Sequence, residues 1–185
     1  MRRRTLQLGA PPLIGGERLR MEQALRQLID RQEIADLIHD YCIHVDRYEP
    51  EKVAALFTED CITDYGASFG GAVVGRRRVE RGCGYTLAGW QATSHHVSNI
   101  RLWFEDADHA RGETYLHAWH RVDDESPTFQ VFARYNDRFV RTAEGWRFSE
   151  RRVTAAGQEG GQNNFEGIGR RTPDPALVEK VRSRT

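Results

Sequence analysis

The sequence predicts an α+β fold, with helices first and a meander of antiparallel strands second. Two observations carry this. An apolar stripe of helical period runs along the early part of the chain, and four β-rich stretches separated by short turns fill its later part. Segregation of the two patterns, rather than their alternation, marks α+β.

Each element has its own signal. From Glu22 the pattern is helical, and Ile34, Leu37, Ile38, Tyr41, Cys42 and Val45 follow the i, i+3, i+4, i+7 rule and form one apolar face. Glu49-Pro50 breaks the run. Pro50 suits the first turn of a second helix carrying Val53, Leu56 and Phe57, which Glu59-Asp60 ends. Cys61 to Tyr65 reads as a short strand, followed by a Gly-rich turn from Gly66 to Gly71. Gly75 to Leu87 reads as a small helix preceded by a basic turn. Strands are expected over His95–Glu105, Ala110–Val122, Phe129–Thr142 and Trp146–Thr154. The turns between them are Asp106–Asp108, Asp123–Pro127 and Ala143–Gly145, short enough to make antiparallel neighbours. A curved antiparallel sheet packed on the N-terminal helices forms a cone with a closed bottom, and its mouth is a natural small-molecule pocket. The expected division is a disordered leader over residues 1–20, one folded domain over 21–155 and a C-terminal tail over 156–185.

Bulk properties exclude several function classes. The 185 residues suit one domain with a sizeable core. With 27 basic and 27 acidic residues the formal net charge is zero, so there is no global pull toward nucleic acid or a membrane surface. The runs Arg2-Arg3-Arg4, Arg76-Arg77-Arg78 and Arg170-Arg171 are too short and scattered for a binding stripe and read as solvated surface. No stretch approaches the ~18 apolar residues that span a bilayer. Three cysteines, Cys42, Cys61 and Cys83, without CxxC spacing argue against a disulfide framework or zinc site and favour a reducing cytoplasm. The Gly66–Gly71 turn lacks a phosphate-loop ending, and His39 and His44 miss the i, i+4 spacing of paired helical ligands. No metal and no cofactor is therefore expected.

Asp46 and His95 are the candidate catalytic pair. Asp46 closes the amphipathic stretch from Ile34, where a carboxylate opposes the helix macrodipole and gains nothing locally. His95 lies in Thr93-Ser-His-His-Val-Ser-Asn99, at the mouth of a strand. A carboxylate beside an imidazole fixes its tautomer and raises its basicity, making a general base. Strand alternation puts Thr114, Leu116, Ala118 and His120 on one face and Tyr115, His117 and Trp119 on the other, while His96 faces away from His95. If Thr114 faces the pocket, so does His120, a candidate second acid–base group. Tyr65 and Tyr135 are candidate pocket donors, with core tyrosines of satisfied hydroxyl as the plainer reading. Tyr41 and Cys42 read as core, and Trp146 as packing the end of the sheet.

The order of elements, the Tyr41-x4-Asp46 helix end, the Thr93-x-His95-x3-Asn99 stretch, and Arg134-Tyr-Asn-Asp-Arg-Phe139 leading to Gly145-Trp-Arg-Phe-Ser-Glu-Arg151 resemble the SnoaL-like branch of the NTF2-like superfamily. Its members include scytalone dehydratase, hexachlorocyclohexane dehydrochlorinase, polyketide cyclases and ketosteroid isomerases. The resemblance covers roughly Ala24 to Thr154 and implies an α+β cone, often dimeric or trimeric through its outer sheet face. It implies that Asp46 and His95 are the proton-abstracting pair of the dehydratase and the dehydrochlorinase. Tyr65 resembles the dehydratase tyrosine that polarises a substrate oxygen through water. Thr114 and Tyr135 fall where that dehydratase has a second pocket histidine and an asparagine, two departures at pocket positions. The implied function is cofactor-independent dehydration, isomerisation or cyclisation of an apolar or aromatic, polyketide- or steroid-like substrate by a homodimer or homotrimer. The alternative is a non-catalytic ligand-binding or structural module, such as the β-type subunit of a ring-hydroxylating dioxygenase.

Overall fold

The computed structural model describes residues 15–160, 167 and 175–183. The chain runs α1 (Gly15–Asp46), α2 (Pro50–Ala55), β1 (Phe57–Asp64), a 3-10 turn (Ala67–Phe69), β2 (Ala72–Val74), α3 (Arg76–Leu87), β3 (Ala92–Phe104), β4 (His109–Arg121), β5 (Phe129–Thr142), β6 (Gly145–Glu159) and α4 (Pro175–Arg182). The strands form one six-stranded sheet in the order β2-β1-β6-β5-β4-β3. The sheet curves without closing, and the N-terminal helices pack on its inner face as an NTF2-like α+β cone.

The apolar stripe of α1 does what its period requires: Ile34, Leu37, Ile38, Tyr41, Cys42 and Val45 are all buried. Near the narrow end, Asp30 of α1 is buried against the sheet by Arg141 (2.6 Å), whose guanidinium lies 4.5 Å over the Trp146 ring. Trp146 is buried there, as expected for the end of the sheet.

Three boundaries depart from the sequence expectation. The second helix stops at Ala55 instead of continuing through Phe57 to Glu59. Phe57 opens β1, which pairs parallel with β6 (Phe57 opposite Phe148), and the two rings sit 5.0 Å apart in the core. Tertiary pairing thus overrides the local helical reading, and one neighbour in the sheet is parallel. The short β2, which no sequence signal marked, pairs antiparallel with the end of β1. The last strand runs to Glu159 rather than Thr154, and α1 begins at Gly15, within the stretch expected as leader. The rest of that leader, residues 1–14, and half of the expected tail lie outside the described residues.

Candidate active site

Asp46 is the last helical residue of α1. The turn after it is a Schellman pair: the Tyr48 amide donates to the Val45 carbonyl (3.1 Å) and the Glu49 amide to the His44 carbonyl (3.0 Å), with Tyr48 at φ +56°. That stop aims the Asp46 carboxylate at β3. The desolvation and dipole costs of a carboxylate there are offset by three donors. The Thr93 hydroxyl donates to Oδ1 (2.8 Å), the His95 amide donates to Oδ2 (2.9 Å), and His95 Nδ1 lies 2.6 Å from Oδ1. Partial burial pushes the Asp46 carboxyl up, but the bonds from His95 and Thr93 outweigh it and hold the pKa below the usual carboxylate value.

β3 needs an irregularity to serve both the site and the core. Ser98 pairs with Tyr115 but Arg101 pairs with Glu113, so β3 carries one extra residue, with Asn99 at φ +51°. This bulge changes the strand's parity. His95 and Val97 face inward before it; Ile100, Leu102 and Phe104 pack against the core after it. His96 is exposed on the other face.

His95 lines a cavity of about 170 Å³ walled by α3, the inner sheet face and the loop to β3. With Nδ1 committed to Asp46, a neutral His95 carries its proton there and leaves the Nε2 lone pair for a ligand. His120 lies beside it, ring centroids 5.4 Å apart and nearly perpendicular, stacked on Phe129 at 4.2 Å and against Trp90 at 5.0 Å. Burial, then the neighbouring His95, push its pKa down to about 4, so His120 is neutral in the working pH range. Its Nδ1 is buried without a hydrogen-bond partner among the described residues.

The cavity floor is aromatic. The hydroxyls of Tyr41 and Tyr65 are 2.6 Å apart, and Tyr135 meets Tyr41 edge-on at 5.7 Å. Burial pushes Tyr65 up to about 12 and Tyr41 and Tyr135 well above the ordinary phenol value, so all three keep their protons as donors. Beneath them lies the fully buried Arg151. Its guanidinium is 4.1, 3.9 and 4.1 Å from the Tyr41, Tyr135 and Phe148 ring centroids, and it donates twice to Asp137 at 2.8 Å. Burial works against this charge, but the Asp137 carboxylate holds Arg151 well above its ordinary pKa. No cluster of three or more metal-ligating side chains occurs among the described residues.

A match to the SnoaL-like domain covers residues 26–152, most of the chain. The chain belongs to the SnoaL-like family. Among solved structures, a protein from Novosphingobium aromaticivorans provisionally named scytalone dehydratase is 27% identical, with a TM-score of 0.75 over 80% of this chain and 99% of that one. A type-3 hexachlorocyclohexane dehydrochlorinase (LinA) from Novosphingobium barchaimii shares the fold at 21% identity and TM-score 0.66, covering 81% of this chain and 99% of that one. An uncharacterized protein of Mycobacterium tuberculosis strain H37Rv is 24% identical over 74% of this chain and 92% of its own length.

Within this SnoaL-like cone, Asp46 and His95 are in direct contact, and His95, His120, Tyr65 and Tyr135 share one cavity. Thr114 does not reach it. Alternation turns Thr114 inward as expected, but the cavity lining on β4 ends at Leu116, and Thr114 is sealed in the core opposite Tyr135 with its hydroxyl unpartnered among the described residues. Thr93 and Tyr41 are among the polar groups that the sequence reading did not place at the site. Thr93 donates to Asp46, and its two-residue offset from His95 on one strand face was the available signal. Tyr41 was expected as core; it is buried, yet it also lines the cavity bonded to Tyr65, which follows β1, a pairing that only the tertiary fold reveals.

Proposed function

We propose that this SnoaL-like protein is a cofactor-independent enzyme of the dehydratase type, acting on an apolar or aromatic ring compound. Neutral His95, oriented by Asp46, takes a proton from an acidic substrate carbon onto Nε2. A tyrosine hydroxyl of the Tyr41–Tyr65 pair, or Tyr135, donates to the oxyanion that develops. The proton on His95 then goes to the departing hydroxyl oxygen, which leaves as water. Isomerisation and ring closure share the first step. The observation that carries this reading is the 2.6 Å contact between His95 Nδ1 and Asp46 Oδ1 at the edge of an aromatic cavity. The provisional name of the Novosphingobium neighbour supports the same chemistry. General base catalysis supplies about 10²–10⁴-fold and oxyanion donors about 10²–10³-fold.

The chemistry in this reading is proton transfer and calls on neither metal nor nucleotide. His120 is a neutral polar contact for substrate rather than an imidazolium acid. Thr114 has no substrate role here. The protein works as a homodimer or homotrimer through the outer sheet face, and its three free cysteines suit a reducing cytoplasm. The experiment is a set of ring-containing β-hydroxy carbonyl compounds incubated in deuterium oxide and followed by NMR. The expected outcome is water loss or deuterium at the acidic carbon with the wild type, reduced at least about 100-fold in Asp46→Asn and His95→Gln with circular dichroism unchanged. Undiminished turnover in both variants would overturn the dyad as the base, and no turnover by the wild type would leave a ligand-binding module as the reading.

A further inference from the structure

The Arg76-Arg77-Arg78 run divides its labour. Arg76 is spent on structure, donating to the Phe57 carbonyl at 2.8 Å and pairing with Glu59 at 2.7 Å. Arg77 and Arg78 are both solvent-exposed, and Arg77 does not line the cavity. Arg78 does line it, and its guanidinium has no hydrogen-bond or ion-pair partner among the described residues. No carboxylate belongs to the lining among those residues, so Arg78 is the permanent charge at the cavity's solvent-exposed edge.

Arg78 and the dyad mark different ends of that cavity. Trp90, just past the C-terminal end of α3, is 5.0 Å from His120, which neighbours His95. Arg78 stands in the first turn of the same helix. From Arg78 to Leu87 the helix rises roughly 14 Å at 1.5 Å per residue. The cavity is therefore polarised, with the net-negative pair of Asp46 carboxylate and neutral imidazole at one end and a cation at the other.

We infer that Arg78 is a specificity residue that receives an anionic group, a carboxylate or its equivalent, on a substrate of about two-ring length whose acidic carbon lies at His95. This deepens the proposed function and rests on its reading of the cavity as a substrate site. A guanidinium at the solvent-exposed edge of an apolar cavity, with no partner of its own among the described residues, is free to pair with an anion, and a charge-assisted bond is about twice as strong as a neutral one. The polarity also fixes direction: an acid entering in reverse would put its charge against Asp46.

The test compares 2-naphthoate with 2-naphthamide, which share shape but not charge, by isothermal titration calorimetry on the full chain. The expected result is naphthoate binding about tenfold tighter than the amide, with preference weakened by salt. Arg78→Gln removes that preference and leaves amide binding unchanged; Arg77→Gln changes neither. Equal affinities for the two ligands, the same loss in Arg77→Gln, or no naphthoate binding at millimolar concentration would each overturn the inference. His95→Gln separates the two readings. It abolishes turnover if the dyad is the base, yet retains the naphthoate preference if the anion sits on Arg78.

Discussion

At the scale of single residues, the site is a set of groups whose protonation is fixed by their surroundings. Asp46 is ionised because His95 and Thr93 donate to it; the tyrosines are protonated because they are buried; His120 is neutral because burial and His95 oppose its charging. The last of these makes stability depend on pH. His120 titrates near 6.5 when unfolded and near 4 when folded, so the unfolded chain binds the extra proton between those values. Its contribution is therefore intact above about pH 6.5 and declines as pH falls toward 4, by on the order of 2 kcal/mol for a ring that keeps some solvent contact. The thermal midpoint of wild type is expected to fall through that window faster than that of His120→Phe. Parallel curves would show that His120 is not held neutral. Asp46 and His95 were legible in the sequence because each stood where an ordinary residue gains little: a carboxylate at a helix C-terminus, and an imidazole at a strand mouth.

At the scale of elements, two bulges decide what faces inward. The extra residue in β3 lets His95 face the cavity and Leu102 the core. A second lies in β6, where Phe148 pairs with Phe139 but Glu150 pairs with Arg138. Strict alternation from Trp146 would bury Glu150 and Arg152; the bulge buries Arg151 instead, directly across from Asp137. That is why the helices, the four long strands and the turns could be read from periodicity, while the charged pair under the aromatic floor could not. The parallel β1–β6 pairing was hidden for a related reason, since a long-range partner and not local pattern turns Phe57 into a strand residue. Removing one member of the buried pair strands the other. Arg151→Met is expected to cost about 3–5 kcal/mol in urea unfolding, and the Arg151→Met, Asp137→Leu double variant to recover most of it. A single variant that unfolds like wild type would contradict the pair's structural role.

At the scale of the whole molecule, the cone presents two apolar surfaces. The inner one is filled by α1, α2 and α3 and leaves the cavity. The outer one carries Tyr115 and Phe132, each more than a third exposed, with His117 stacked on Phe132 at 4.7 Å and Arg134 over the Tyr115 ring. Such a patch on a sheet face suits contact between copies. Sedimentation at micromolar concentration is expected to give a dimer or trimer, and Tyr115→Glu with Phe132→Glu to give a monomer; a monomeric wild type would contradict it. The fold also does what no local segment can, joining residues 49 positions apart into one dyad. Nitrogen-15 NMR of the His95 ring tests that joining without a known substrate. With the ring neutral, the expected spectrum has the proton on Nδ1 and a bare Nε2, with the tautomer preference lost in Asp46→Asn. A proton resident on Nε2, or a spectrum indifferent to Asp46→Asn, would contradict the assignment of His95 as the base.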